Sequence, residues 1–396
     1  MSSIFNIFFL FVGLAVFLSS TSSYVLTNFS EHATTILVGT QIAQTSGNFF
    51  SGWLSDRSKW IQFLLIPGLL FSAFFHFFAF QFPSDWILSF VFLFGTRFFL
   101  SFNFQLMSIG IIESKGEDSF TRYRVSGTIG FLVSQLFFYL VLEYKLILFK
   151  DPNFVASFGS IFYFFCLFLS FWTPKFRISR KPFYFRKALV TIQNPKITFF
   201  FLFSFLFYAA YQITDNYMGK YFEILGGTKA IFLAWFLSVI IEVPFLFFSP
   251  YLIHRWSLYS VIFASLFCGS IRFFILFLFV DSMEFSKYFL LLQMTHSVLF
   301  AGFYIGGFYF LRKYTSSEVY GSVSGLYSIF SMLLGGISGN LICGFLLNAE
   351  NSSLSKASFQ NLFLFSASIF LTLIPLFFFL YSYCKKKEFL ALEHHD

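Results

Sequence analysis

Gly52-Trp53-Leu54-Ser55-Asp56-Arg57-Ser58-Lys59 is a short charged segment with a long apolar run on either side. The run before it covers about 34–55 and the run after it about 61–80. Crossing a bilayer as helix takes about 20 apolar residues, so the segment reads as a tight turn between two membrane spans. Working outward, ten further runs of similar length follow the same rule, at about 4–24, 86–112, 125–142, 156–174, 197–219, 228–253, 258–280, 286–311, 318–346 and 357–383. The first run has no basic segment before it and reads as a span, not as a signal peptide. Ser249-Pro250-Tyr251-Leu252-Ile253-His254-Arg255-Trp256, after the eighth span, stands where Gly52–Lys59 stands after the second. That is the weak internal symmetry of a duplicated six-helix unit.

Composition agrees. The 396 residues are 57% hydrophobic and 11% charged, with a mean hydropathy of +0.76, where a soluble domain carries about 25% charged residues. Cys166, Cys268, Cys343 and Cys384 are scattered with no metal or redox spacing. The net charge of +8 is explained by loop bias and not by nucleic acid. With the N-terminus inside, the inside segments hold 18 of the 26 Lys and Arg, the outside loops hold 6, and Arg97 and Arg272 lie within spans. The positive-inside rule then places both termini in the cytoplasm of a cell (inner) membrane protein.

The expected fold is all-α integral membrane, with twelve transmembrane helices in two six-helix bundles. Residues 1–174 form the first bundle, 175–196 a basic cytoplasmic linker, 197–384 the second bundle and 385–396 a tail.

Ionisable residues inside spans are expensive and mark functional paths. Glu242, Arg272 and His296 lie near the centres of spans eight, nine and ten, within roughly 5 Å of the midplane at 1.5 Å per residue. An unpaired charge there costs about 3 kcal/mol on insertion scales, so Glu242 is expected to pair with Arg272. His296 is the residue suited to titration near neutral pH, with Gln293 one turn away. Tyr208, Tyr211, Gln212 and Asp215 make one polar stripe on span seven. Gln41, Gln44 and Asn48 make another on span two. Arg97 sits at the centre of span four with no acid evident in its own half. Glu113 and Arg124, nearer the cytoplasmic face, are expected to form gating salt bridges together with Asp56 and Arg57. Gly321/Gly325 and Gly335/Gly339 are read as helix-packing notches.

The loop Gly52 to Arg57 resembles the signature between the second and third helices of the major facilitator superfamily, with Ser58-Lys59 where Gly-Arg is usual. Arg124-Val125-Ser126-Gly127-Thr128-Ile129-Gly130-Phe131 resembles the RxxGSxGF start of helix five in the phenylpropionate permease, lactose permease and nucleoside–proton symporter group. Glu242, Arg272 and Gln293-Met294-Thr295-His296 follow that group's order. Ala210-Tyr211-Gln212-Ile213-Thr214-Asp215 is similar to a helix-seven stretch of the nucleoside symporters. Leu299 departs from lactose permease, which has an acid there. The resemblance implies a monomeric secondary transporter importing a small polar or amphipathic solute (a nucleoside, sugar or aromatic acid) with a proton, without cofactor or metal. Its contacts would be Glu242, Arg272, His296, Gln293, Asp215, Gln212, Tyr211, Arg97 and Gln41. Efflux of a lipophilic compound is the alternative. A sensor lacks its output domain, and an enzyme lacks a nucleophile–base pair or a phosphate-binding loop.

Overall fold

The computed structural model describes residues 2–55, 61–115, 117–145, 152–172, 185–282, 286–316, 319–348 and 354–393. All regular structure among them is helical. The N-terminal half has α1 (Ser2–Asn28), α2 (Ala33–Ser55), α3 (Gln62–Phe78), α4 (Trp86–Lys115), α5 (Glu117–Glu143), α6 (Pro152–Phe158) and α7 (Ile161–Ser170). A short linker helix, α8 (Phe185–Ile192), precedes α9 (Pro195–Asn216), α10 (Met218–Gly226), α11 (Thr228–Ile240), α12 (Glu242–Trp256) and α13 (Leu258–Phe279). Then come α14 (Ser286–Leu292), α15 (Thr295–Tyr314), α16 (Tyr320–Tyr327), a π-helical stretch Ser328–Leu334, α17 (Gly335–Asn348) and α18 (Gln360–Glu393).

Local chemistry sets several ends. Asp85 accepts from the amides of Ile87 and Leu88, 3.0 Å each, and so caps α4. Asn194 caps α9, with Pro195 in the first turn where a missing N–H costs nothing. Gly227, at φ +73°, supplies the left-handed residue between α10 and α11.

Among the described residues, ten helical stretches are long and apolar enough to cross a bilayer. α3 is shorter, at 17 residues. α2 has the length, 23 residues, but its face carries Gln41, Gln44 and Asn48. With these two, the set agrees with the twelve spans expected. The sequence reading did not anticipate that spans six, seven, eight, ten and eleven are each interrupted (α6/α7, α9/α10, α11/α12, α14/α15 and the π stretch).

Two bundles result. In the first, α1 packs on α5 and α7, and α4 on α2 and α3. In the second, α13 packs on α15 and α18, and α9 on α17 and α18. Glycines set the closest approaches: a Cβ at Gly47 would strike the Phe98 carbonyl oxygen, and one at Gly339 that of Ala209. Gly335 is a notch against Phe205, as expected. Gly321 and Gly325 are not notches, because a Cβ there meets nothing within 4 Å.

Between the bundles, α2 meets α17, α5 meets α11 and α12, and α1 meets α10. Span two against eleven and span five against eight exchange under a shift of six, as duplication requires. Several polar contacts that join the bundles lie at the face away from the termini. Ser23 donates to Glu223 at 2.5 Å, Lys220 donates to Thr27 at 2.7 Å while pairing with Glu223 of its own helix, and Lys229 pairs with Glu143 at 2.7 Å.

Candidate functional site between the bundles

Three helix breaks fall on the polar residues picked out in the sequence. α11 ends at Ile240 and α12 starts on Glu242. Pro244 explains the break, since it has no N–H to give to the Ile240 carbonyl. α14 stops at Leu292 and α15 restarts at Thr295. There the Gln293 side chain donates to the Phe289 carbonyl at 3.2 Å and the Thr295 hydroxyl to that of Leu292 at 2.6 Å, taking up acceptors that the interrupted helix leaves open. α9 ends one residue after Asp215. Discontinuous helices present backbone and side-chain polar groups to a site where a continuous helix would hide them.

Arg272 on α13 is fully buried, and its Nη2 donates to Gln293 Oε1 at 2.5 Å. Its Nε and Nη1 have no hydrogen-bond partner. His296 is buried, stacked parallel with Phe300 and close to Tyr211, whose hydroxyl lies 3.4 Å from its Nε2. The Tyr211 hydroxyl is also within reach of the Asp215 carboxylate one turn on. Tyr211, His296 and Asp215 thus stand together in the second bundle, with Arg272 in electrostatic reach of all three.

The expected Glu242–Arg272 pair is not formed. Glu242, buried at the start of α12, faces the first bundle, with the Thr128 hydroxyl 3.5 Å from its Oε1. Arg124, one turn before Thr128 and 3.2 Å from its hydroxyl, is near enough to act on Glu242 through space. Its guanidinium lies over the Phe11 ring, 4.5 Å from the centroid. Arg124 is therefore within electrostatic reach of Glu242. Phe131, one turn beyond Thr128, meets Trp235 edge to face at 5.9 Å, and Tyr304 is within electrostatic reach of both Arg124 and Glu242.

A second cross-bundle cluster lies on α2, α4 and α9. Arg97 Nη2 donates to Gln44 Oε1 at 2.6 Å. The acid missing from its own half is Asp215 of the other, which acts on it through space without ion-pair contact. Gln41 of α2 and Gln212 of α9 come together over Gly336 of α17, where a Cβ would sit 2.9 Å from Gln41 Nε2 and 3.0 Å from Gln212 Oε1. The stripes on spans two and seven therefore face each other. Asn48 is half-buried lower on α2.

Asp56 and Arg57 lie outside the described residues, as does the side chain of Glu113. Sequence reasoning missed Thr128, Phe131, Trp235 and Tyr304. The first two lie inside the quoted helix-five motif and repeat at helical spacing from Arg124, a signal that could have singled them out. Trp235 and Tyr304 have no such mark in a chain with 25% aromatic residues.

Two helical bundles in a membrane, with charged side chains of each turned toward the other, define a solute transport protein. The chain belongs to the MFS_1 like family, whose description matches residues 7–357. No match is found among curated proteins. Among solved structures it is similar to the nucleoside transporter NupG, at 18% identity, TM-score 0.79 and coverage of 96% of this chain and 98% of that one. An auto inhibited POT family peptide transporter follows at 13% identity, TM-score 0.71 and 95% of each chain. A D-xylose-proton symporter is similar at 13% identity, TM-score 0.70 and 95% and 96%. At these identities the likeness is one of fold.

Proposed function

We propose that the protein imports a small polar solute with a proton across the cell (inner) membrane, both termini being cytoplasmic. The observation that carries this reading is Glu242 of one bundle set against Thr128 and Arg124 of the other. A bond of that kind has to be broken and remade when two bundles rock about a central site, so a solute that replaces it is bound differently in each state. Arg97 opposite Asp215 makes a second such place. The contacts that close the face away from the termini would have to part for solute to enter from that side. Boundaries at 174/175 and 196/197 divide the rocking units.

The solute has hydroxyls or amides for Glu242, Gln41 and Gln212, and a ring for Phe131, Trp235 and Tyr304. A nucleoside fits both demands; a sugar or an aromatic acid fits in part. Asp215 and Glu242 are the proton carriers best placed, since each is a carboxyl group facing the opposite bundle.

Uptake into vesicles across labelled nucleosides, sugars and aromatic acids, with and without an inward proton gradient, tests the reading. Accumulation of one class only with the gradient supports it. Gradient-driven extrusion of lipophilic dyes, with none of these taken up, contradicts it.

A further inference from the structure

Around the break at Gln293, three buried side chains carry polar atoms without a hydrogen-bond partner. They are Nε and Nη1 of Arg272, Nδ1 of His296 and Oγ1 of Thr214. The three residues are 0%, 2% and 2% exposed, so bulk water does not reach them. The solute contacts and proton carriers named above include none of the three. Gln293 ties them to one place. Its Oε1 takes an N–H of Arg272 at 2.5 Å, and it shares the wall of a small cavity with Thr214, Trp235 and Ser238. Arg272 thus stands directly behind that wall.

A water molecule can accept from such N–H groups, but it does not offset their charge. A guanidinium group keeps its proton inside a protein, and a lone charge at bilayer depth is expensive. Among the described residues no carboxylate lies within ion-pair distance of Arg272; the ion pairs made by acids are Glu223 with Lys220 and Glu143 with Lys229. Glu242 is engaged with Thr128 and Arg124 of the first bundle. Asp215 acts on Arg272 only through space, and it is shared with Arg97. One carboxylate therefore serves two guanidinium groups, and one positive charge is left over.

We propose that Arg272 and Thr214 bind one small monovalent anion, a halide or a carboxylate group, beside Gln293. Arg272 donates its open N–H groups to the anion and Thr214 its hydroxyl. His296 Nδ1 is a further donor when the ring carries its proton there. Gln293 is the positioning residue: its amide nitrogen is anchored on the Phe289 carbonyl, and its oxygen holds the guanidinium in place. A single excess charge suits a monoanion, because a dianion would leave a net negative charge in a buried site.

The test measures binding of radiolabelled chloride, and separately of radiolabelled benzoate, to the full-length protein in neutral detergent. Equilibrium dialysis in a chloride-free buffer serves, with no other solute and no gradient. At least one of the two anions should bind saturably at a single site, and equimolar sulfate should not displace it. Chloride binding that benzoate leaves alone makes the ligand a free halide. Benzoate binding, with or without displacement of chloride, makes it a carboxylate group of the kind a solute can carry. Arg272→Gln should abolish the binding, and Thr214→Val should weaken it about tenfold by removing one hydrogen bond to a charged group. Should Arg272→Gln not fold, Thr214→Val decides alone. No saturable binding of either anion, displacement by equimolar sulfate, or binding undiminished in the variants overturns the proposal. Transport does not enter the measurement, so failure here leaves the role given to Glu242 untouched.

Discussion

Arg272 donates to the Gln293 amide oxygen at 2.5 Å and leaves Glu242 to face Thr128 of the other bundle. The two charges of spans eight and nine therefore serve different purposes. One is tied down within its bundle by a neutral partner, and the other stands at the junction where the bundles must separate.

This arrangement predicts that Gln293→Leu destabilises the protein by about 2 kcal/mol, the worth of a hydrogen bond to a buried charged group. Glu242→Gln should cost far less. In a thermal-melt cycle of Glu242→Gln with Arg272→Gln the two losses should add within about 0.5 kcal/mol. Rescue of Arg272→Gln by Glu242→Gln would mean that the two pair after all.

Arg97 and Asp215 give the opposite pattern. They belong to different bundles and act on each other through space. Arg97→Gln and Asp215→Asn should each lower uptake at least tenfold, by stranding the other charge, and the double variant should recover part of the exchange of bound solute. Full activity in both single variants would remove the pair from the mechanism.

Closure at the face away from the termini is open to cross-linking. Ser23 and Glu223 touch across the bundles. Ser23→Cys with Glu223→Cys should be bridged by a short bis-methanethiosulfonate linker that then stops uptake, and reduction of the linker should restore it. Uptake that continues with the bridge formed would show that this contact need not open.

Two glycines of α2 separate packing from open space. Gly47→Ala would drive a methyl group into the Phe98 carbonyl and should lose about 1–3 kcal/mol. Gly52→Ala meets nothing within 4 Å and should stay within about 0.5 kcal/mol of the parent. Similar melting shifts for both would contradict the packing of α2 on α4.

The sequence reading located the spans and placed Glu242, Arg272 and His296 along them, because length and hydropathy set how far along a helix a residue lies. They do not set which way it points. The break before Glu242 turns that residue toward the first bundle, and the break at Gln293 frees an amide for Arg272; in a run of apolar residues neither break disturbs the hydropathy. Arg97 looked solitary because its acid lies 118 positions later, on a helix of the other half. The stripes on α2 and α9 were legible as faces, and their meeting over Gly336 became visible only with the two bundles together.

The central claim is that Glu242, at the bundle junction, belongs to a proton-coupled solute site. Its most direct test is accumulation of a labelled nucleoside in proteoliposomes with an inward proton gradient, comparing the parent chain with Glu242→Gln. The parent should concentrate the nucleoside above the outside level and lose that ability when the gradient is collapsed, and Glu242→Gln should fail to concentrate it while melting at a similar temperature. Gradient-driven accumulation by Glu242→Gln at the parent's rate would contradict the claim.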